Sequence, residues 1–221
     1  MANISRRKFI KGLALTAIPT PVLAANATSV SSGLSTTPAE IEGPFYPVTA
    51  QHDRDIDLTT IKGRDGGAEG DVIFVEGRVV DTQGAALEGA VIDLWQANAF
   101  GRYSHPRDPN PAARDPNFQG WAIFLSRSGG YFRFKTVMPG AYPAAPNWMR
   151  APHIHFKLTK PGFRSLTTQM YFADQPLNQS DLLLQRKSPA EQRLMTAPLR
   201  GTTTDTYEYQ IVLAHEHPGG R

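Results

Sequence analysis

Ala151-Pro152-His153-Ile154-His155-Phe156-Lys157-Leu158 is the stretch that decides the fold. Ile154, Phe156 and Leu158 fall on every second position, the period of a β-strand with one face on a core. The same period puts His153 and His155 side by side on the opposite face. Imidazoles at i and i+2 can reach one metal ion, and histidine is the commonest metal ligand. The plainer alternative is a solvated strand face. Two neutral nitrogens do not by themselves define a metal. Tyr103, closing Trp95-Gln-Ala-Asn-Ala-Phe-Gly-Arg-Tyr103, and Tyr142, in Met138-Pro-Gly-Ala-Tyr-Pro143, would add hard anionic oxygens. Such a set favours a hard, highly charged ion such as Fe(III).

Outward from this stretch the chain reads as short strands split by turns. Residues 72–80 and 91–96 form strands, with a turn at Asp81-Thr82-Gln83-Gly84 between them. Residues 121–126 and 131–137 flank Arg127-Ser128-Gly129-Gly130, a hairpin signal. Residues 153–159 and 166–172 flank a Lys-Pro-Gly-Phe-Arg turn and read as a second hairpin. Tyr207, Tyr209, Ile211 and Leu213 alternate with Glu208 and Gln210 and mark a last strand. One short helix is expected over 188–194, with Ser188 as its cap and Pro189 at its first position. The pattern predicts a mainly β fold: an antiparallel two-sheet sandwich with long active-site loops and one short helix. The loops are residues 97–120 and 139–152. Long ordered loops on a rigid β scaffold commonly carry function. Tyr103 and Tyr142 fall in them.

The N-terminus has the form of a targeting segment. Ser5-Arg6-Arg7-Lys8-Phe9-Ile10-Lys11 is close to the twin-arginine pattern, and a short apolar run broken by Pro19 and Pro21 leads to Val22-Leu23-Ala24. Residues 1–24 are therefore expected to be a signal peptide, too short and interrupted for a stable membrane span. The expected partner is the twin-arginine export machinery, and the expected location is periplasmic or secreted. Residues 25–38, rich in Ser, Thr and Ala, read as a flexible tether, and 39–221 as the folded domain. Removing residues 1–24 takes away four cations and no acid, so the formal charge of +3 becomes 3 − 4 = −1. The basic balance belongs largely to the export signal. No Lys/Arg stripe remains to suggest nucleic acid as a partner. The remaining 221 − 24 = 197 residues suffice for one domain with a substantial core. The chain has no cysteine, which excludes disulfides, zinc-thiolate sites and cysteine nucleophiles.

Five segments together resemble one family. They are 37–47 (Thr-Pro-Ala-Glu-Ile-Glu-Gly-Pro-Phe-Tyr-Pro), 93–103, 115–120 (Asp-Pro-Asn-Phe-Gln-Gly), 139–156 and 166–172. In that order the chain resembles the intradiol ring-cleavage dioxygenases, and most nearly their protocatechuate 3,4-dioxygenase β-chain type. The resemblance implies non-haem Fe(III) held by Tyr103, Tyr142, His153 and His155. It implies a catechol that binds through both oxygens, O₂ attack on the activated ring, and opening between the hydroxylated carbons to a cis,cis-muconate. Tyr142 is the expected leaving tyrosinate. Arg150 would stabilise negative charge on the substrate, and Gln169 would hydrogen-bond near the reacting carbon. Trp95 is expected in the pocket wall. Ala144 stands where the family pattern has a tryptophan, which would leave room beside the metal. A homo-oligomer or a partner chain stays open at this point.

Other residues fall outside these motifs. His52, His105, His215 and His217 are not expected to be ligands, and Asp115 reads as a turn residue. That disfavours a site of two histidines and one carboxylate. The opposing class of function comes from residues 77–91, a strand–turn–strand seen in many non-catalytic extracellular sandwiches. On that reading the protein is a periplasmic binding module without iron and without need of Tyr103 or Tyr142. Separately, the plain alternative for Arg150 is a surface ion pair.

Overall fold

A computed structural model describes residues 33–49, 53–201 and 205–216. In chain order its strands and helices are β1 (Val72–Asp81), β2 (Val91–Trp95), β3 (Trp121–Leu125), β4 (Tyr131–Val137), β5 (Tyr142–Ala145), β6 (Trp148–Arg150), β7 (His153–Thr159), β8 (Leu166–Phe172), α1 (Leu182–Gln185), α2 (Pro189–Met195), β9 (Thr196–Ala197), β10 (Leu199–Arg200), β11 (Thr206–Glu208) and β12 (Ile211–Leu213). One five-stranded sheet runs β10-β11-β1-β12 with β4 on the other side of β1; the second runs β3-β2-β7-β8-β9. Their facing sides meet in one apolar layer. Val75, Val79, Phe132 and Phe134 come from the first sheet, and Ile92, Leu94, Ile154, Phe156, Leu158 and Met170 from the second. Phe156 is the centre of this layer, with the rings of Phe132 and Phe134 at 6.3 and 6.1 Å. Each such buried side chain contributes roughly 1.5–3 kcal/mol.

Both sheets are mixed rather than purely antiparallel. β1 pairs in parallel with β11 and β12, and β8 in parallel with β9. Parallel neighbours need a crossover. Between β8 and β9 that crossover is the helical segment containing α1 and α2. The last expected strand is split at Tyr209, whose N–H donates to the Glu76 carbonyl at 2.8 Å. Opposite it lies Gly77, where a β-carbon would run into the Tyr209 carbonyl. The turn at 127–130 does not close a hairpin. β3 pairs with β2 and β4 with β1, so this turn passes the chain from one sheet to the other. The expected hairpin of β7 and β8 is present, antiparallel over six residue pairs.

The expected helix is α2, where Ser188 and Glu191 form a reciprocal capping box. A second, one-turn helix, α1, precedes it, capped by Asp181. The loop 139–152 holds a small two-stranded hairpin, β5–β6. The proposed signal peptide and residues 25–32 lie outside the described residues. Residues 33–38, expected to be tether, are instead fastened to the sandwich. Leu34 N–H donates to the Thr82 carbonyl at 2.7 Å, Thr37 exchanges bonds with Val212, and the Pro38 carbonyl accepts from Thr168. No helix of the described residues is long and apolar enough to cross a membrane.

Candidate metal centre

Strand register builds one side of the site. β7 lies between β2 and β8, which sets Trp95 opposite His155, His155 opposite Gln169, and His153 opposite Tyr171. Ile154, Phe156 and Leu158 enter the core between the sheets. His153 and His155 turn to the outer face, yet are only 2% and 3% exposed. The solvated-face alternative is therefore excluded.

Two loops cover that face and deliver the tyrosines. Asn98 shapes the first: its Oδ1 accepts from the N–H groups of Phe100 and Arg102 at 3.0 and 2.9 Å, and its Nδ2 donates to the Ala113 carbonyl. Asp108 Oδ2 then accepts the Tyr103 N–H at 2.7 Å. Gly101, at φ +78°, lies against the second loop, and a β-carbon there would run into the Ala141 carbonyl. Glycine is the residue that allows both the conformation and the approach. Tyr142 opens β5 and pairs with Arg150 on β6, so the hairpin turns both toward the site.

The four side chains converge. Tyr103 Oη lies 3.1 Å from His155 Nε2 and 3.4 Å from His153 Nε2. The rings of Tyr103 and Tyr142 are 5.5 Å apart and nearly perpendicular, and Tyr142 lies 5.7 Å from the His153 ring. His153 Nδ1 is 2.6 Å from the Ala151 carbonyl. A carbonyl only accepts, so Nδ1 carries the proton and Nε2 keeps its lone pair, the orientation that metal-binding imidazoles adopt. His155 Nδ1 has no such partner among the described residues. Its ring is fixed instead by Trp95, stacked at 4.7 Å and 9°. Burial first, then Arg150 for His153 and both His153 and Arg150 for His155, holds the imidazoles well below their usual range. Both are thus neutral donors. Burial, with Tyr142 beside it, raises the Tyr103 phenol well above its usual range; burial also raises Tyr142, against the pull of Arg150. Only a strong cation at this point would draw off those protons.

Beside this cluster lies a buried polar network centred on Arg150. Its Nε donates to Asp181 Oδ2 at 2.8 Å, and its Nη2 donates to Gln169 Oε1 at 2.5 Å and Tyr171 Oη at 3.0 Å. Asp181, with no exposed surface, also accepts the Ala151 N–H at 2.9 Å and caps α1 through Leu183 and Leu184. The surface-pair reading of Arg150 is thereby removed. Nη1 has no protein partner among the described residues and is not fully enclosed. The guanidinium is held on one side and open on the other. Trp148, two residues earlier on β6, lies with its ring 5.7 Å from Arg150 Cζ.

Not every expected role survives. Trp95 has no exposed surface and backs His155, so it is not pocket wall. Gln169 spends its Oε1 on Arg150 and its Nε2 on the Ile41 carbonyl, so it braces the arginine instead of facing a reacting carbon. Ala144 is exposed, at the irregularity between Pro143 and Ala145 of the hairpin. Asp115 is a turn residue as expected, accepting the Asn117 N–H. Among the described residues no group of three or more His, Cys, Asp or Glu could hold a metal, so a two-histidine, one-carboxylate site lacks its carboxylate. His105 is buried beside Phe45, and His215 meets Asp81; His52 and His217 lie outside the described residues. The sequence reading missed Tyr171, Asp181 and Trp148. Tyr171 and Trp148 each sit two residues along a strand from a residue it had singled out.

A β-sandwich with a buried pair of phenols and a pair of imidazoles, flanked by a braced arginine, is an enzyme centre and not a bare binding face. The chain belongs to the dioxygenase family: the family model described as Dioxygenase matches residues 41–215. It is 39% identical over 178 residues to the protocatechuate 3,4-dioxygenase beta chain of Burkholderia cepacia, covering 77% of this chain and 76% of that one. A catechol 1,2-dioxygenase of Candida albicans is 32% identical over 123 residues, 49% of this chain and 39% of that enzyme. The chain thus spans about three quarters of the first relative and well under half of the second. Among solved structures, the dioxygenase domain of a dioxygenase–carbohydrate-binding fusion from Streptomyces sp. SirexAA-E superimposes with a TM-score of 0.62 at 26% identity, over 82% of this chain and all of that one. The catalytic reading stands, and the non-catalytic module does not.

Proposed function

We propose that the protein is a ferric intradiol dioxygenase that opens ortho-dihydroxy aromatics between their hydroxylated carbons, with protocatechuate ahead of catechol. The observation that carries it is the meeting of Tyr103 Oη with both His Nε2 atoms in a closed volume. Tyr103, Tyr142, His153 and His155 would hold the iron: two lone-pair imidazoles and two phenols match a hard trivalent ion. When bound, ferric iron would stabilise the phenolates and draw electron density from a chelated catechol, so that its ring becomes open to O₂.

The chain's own residues do the rest. Tyr142 sits on a hairpin outside both sheets and is the phenol free to leave as catechol enters. Burial raises its pKa, so Tyr142 Oη is suited to take up a catechol proton. Arg150 offers its open Nη1 to negative charge building on the substrate, an electrostatic role. Gln169, Tyr171 and Asp181 keep the guanidinium aimed. Trp148 supplies an aromatic face next to Arg150 where Ala144 supplies none. Protocatechuate is favoured by the likeness to a β chain named for that substrate.

The test is elemental analysis with product identification. Iron near one per chain, a tyrosinate-to-iron absorption band and a cis,cis-muconate product are expected. Zinc, or a yellow semialdehyde from cleavage outside the hydroxyls, would overturn the proposal. Export belongs to the same reading: Ser5–Lys11 and the apolar run after it support residues 1–24 as a twin-arginine signal and a periplasmic or secreted enzyme. Arg6→Lys with Arg7→Lys should strand folded precursor in the cytoplasm, and unchanged delivery would refute it.

A further inference from the structure

A cavity of about 550 Å³ lies against the loop that carries Tyr103. It falls within the roughly 300–1,000 Å³ range of small-molecule sites. His153, His155, Tyr142 and Arg150 are not in its wall; Tyr103 and Arg102 are. Four cations line it, Lys62, Arg64, Arg102 and Arg114, against two carboxylates, Asp53 and Asp115. Both carboxylates are already engaged by backbone. Asp53 accepts the Lys62 N–H, and Asp115 accepts the N–H groups of Glu69 and Asn117 at 2.7 and 2.9 Å. None of the four cations forms an ion pair with a described residue. Arg102 and Arg64 each reach one backbone carbonyl, those of Ala112 and Pro116. Arg102 Nε is buried and has no acceptor among the described residues. A buried guanidinium N–H left open is costly, and a structure rarely carries one without a partner to supply.

We propose that this cavity is an anion site for a small organic dicarboxylate. Guanidinium forks match carboxylates in two-point geometry, and cations distributed around one hollow suit two carboxylates better than a single compact anion. Asn98, Arg102 and Tyr103 are part of the wall, so occupancy bears on the loop that carries Tyr103. A six-carbon dicarboxylate is also the product class of intradiol cleavage of catechol; in that respect alone the inference rests on the proposed function.

Adipate, a saturated six-carbon dicarboxylate that needs no turnover, is the probe. It is titrated calorimetrically into the iron-loaded protein and into Lys62→Gln/Arg114→Gln. Those two side chains make no bond among the described residues, so the variant should fold and keep its iron absorption. Binding is expected to be at least tenfold weaker in the variant, to weaken with added salt, and to persist with catechol bound. Inorganic phosphate should bind at least fivefold more weakly than adipate. No binding at millimolar adipate, equal affinity in the variant, displacement by catechol, or equal affinity for phosphate would each overturn the proposal. A protein that binds adipate through these cations yet opens no catechol would refute the proposed function and leave this site standing.

Discussion

Asp181→Asn separates the two jobs given to the buried network, stability and aim. In the wild type, Asp181 Oδ2 takes the N–H groups of Arg150 (Nε, 2.8 Å) and Ala151 (2.9 Å), while Oδ1 caps α1. The pair's side chains are 5% and 0% exposed, so solvent does little to screen it. Asparagine is also a good capping residue, so the helix loses little. What is lost is the charge opposite a buried guanidinium. Removing one partner of a buried pair costs roughly 3–5 kcal/mol. Against a total stability of about 5–15 kcal/mol the variant should still fold. For a chain of this size each kcal/mol moves Tm by about 2–4 °C, which predicts a fall of roughly 6–20 °C.

The catalytic effect is distinct. Without Asp181, Arg150 keeps Gln169 and Tyr171 on Nη2 but loses its anchor at Nε. A displacement of about 1 Å in a positioning group can cost ~100-fold. We expect kcat to fall by roughly 10- to 100-fold, with iron content and absorption unchanged. Asp81→Asn is the control: Asp81 is another buried carboxylate, bonded to the N–H groups of Gln83 and Ala85 in a turn between β1 and β2. It should lose stability with wild-type kcat. Urea unfolding and oxygen uptake with a catechol, run on both variants, decide the matter. An Asp181→Asn protein that is destabilised yet turns over at the wild-type rate would show that Arg150 needs no such anchor. One that is neither destabilised nor slowed would show that the pair is not formed.

His155→Ala should lose iron and the tyrosinate band, since three remaining ligands hold the ion poorly; full iron content by elemental analysis would remove His155 from the ligand set. Asp81 predicts an acid-sensitive contribution. Burial alone would raise its carboxyl, but the N–H groups of Ala85 and Gln83, with His215, together hold it below the usual carboxylate value. A depressed folded pKa means stability that is present above about pH 4 and lost as pH falls through the folded value. The gap in urea midpoint between wild type and Asp81→Asn should therefore be wide at pH 7 and narrow at pH 3. Trp148→Ala should raise KM for catechols more than it lowers kcat, measured by steady-state oxygen uptake; unchanged KM would take the indole out of the substrate pocket.

What the sequence showed and what it hid divide along contact range. His153 and His155 were legible because a strand's two-residue period is local and the apolar partners Ile154, Phe156 and Leu158 mark it. Tyr103 and Tyr142 were legible through their motifs. Asp181 was not, because its tie to Arg150 spans 31 residues and nothing in a Ser-Asp-Leu-Leu-Leu capping pattern names a distant arginine. The direction of Trp95 was hidden too: its place in a strand was plain, but only pairing with β7 shows that it backs His155. Sheet order failed for the same reason. The turn at 127–130 carries the local chemistry of a hairpin, and whether its two arms pair or part is settled by β1 and β2, far away in sequence.

The division of the four proposed ligands between scaffold and loops is itself an argument about mechanism. His153 and His155 ride on β7, which has a strand on each side, so their backbone cannot move without breaking a ladder. Tyr103 is tied at its own N–H to Asp108 and through its loop to Asn98. Tyr142 sits on a two-stranded hairpin belonging to neither sheet, at 7% exposure against 3% for Tyr103. If the proposed ferric ion is bound, a catechol needing two positions would displace a protein ligand, and the cheapest to displace would be the one least tied to the scaffold. Of the two phenols, Tyr142 is the more exposed and the one on the small hairpin, which favours it as the ligand to leave. Arg150, its cross-strand partner, is held by Asp181, the cap of α1, outside the hairpin. On the proposed mechanism the hairpin would release its tyrosine while the guanidinium stayed anchored by Asp181.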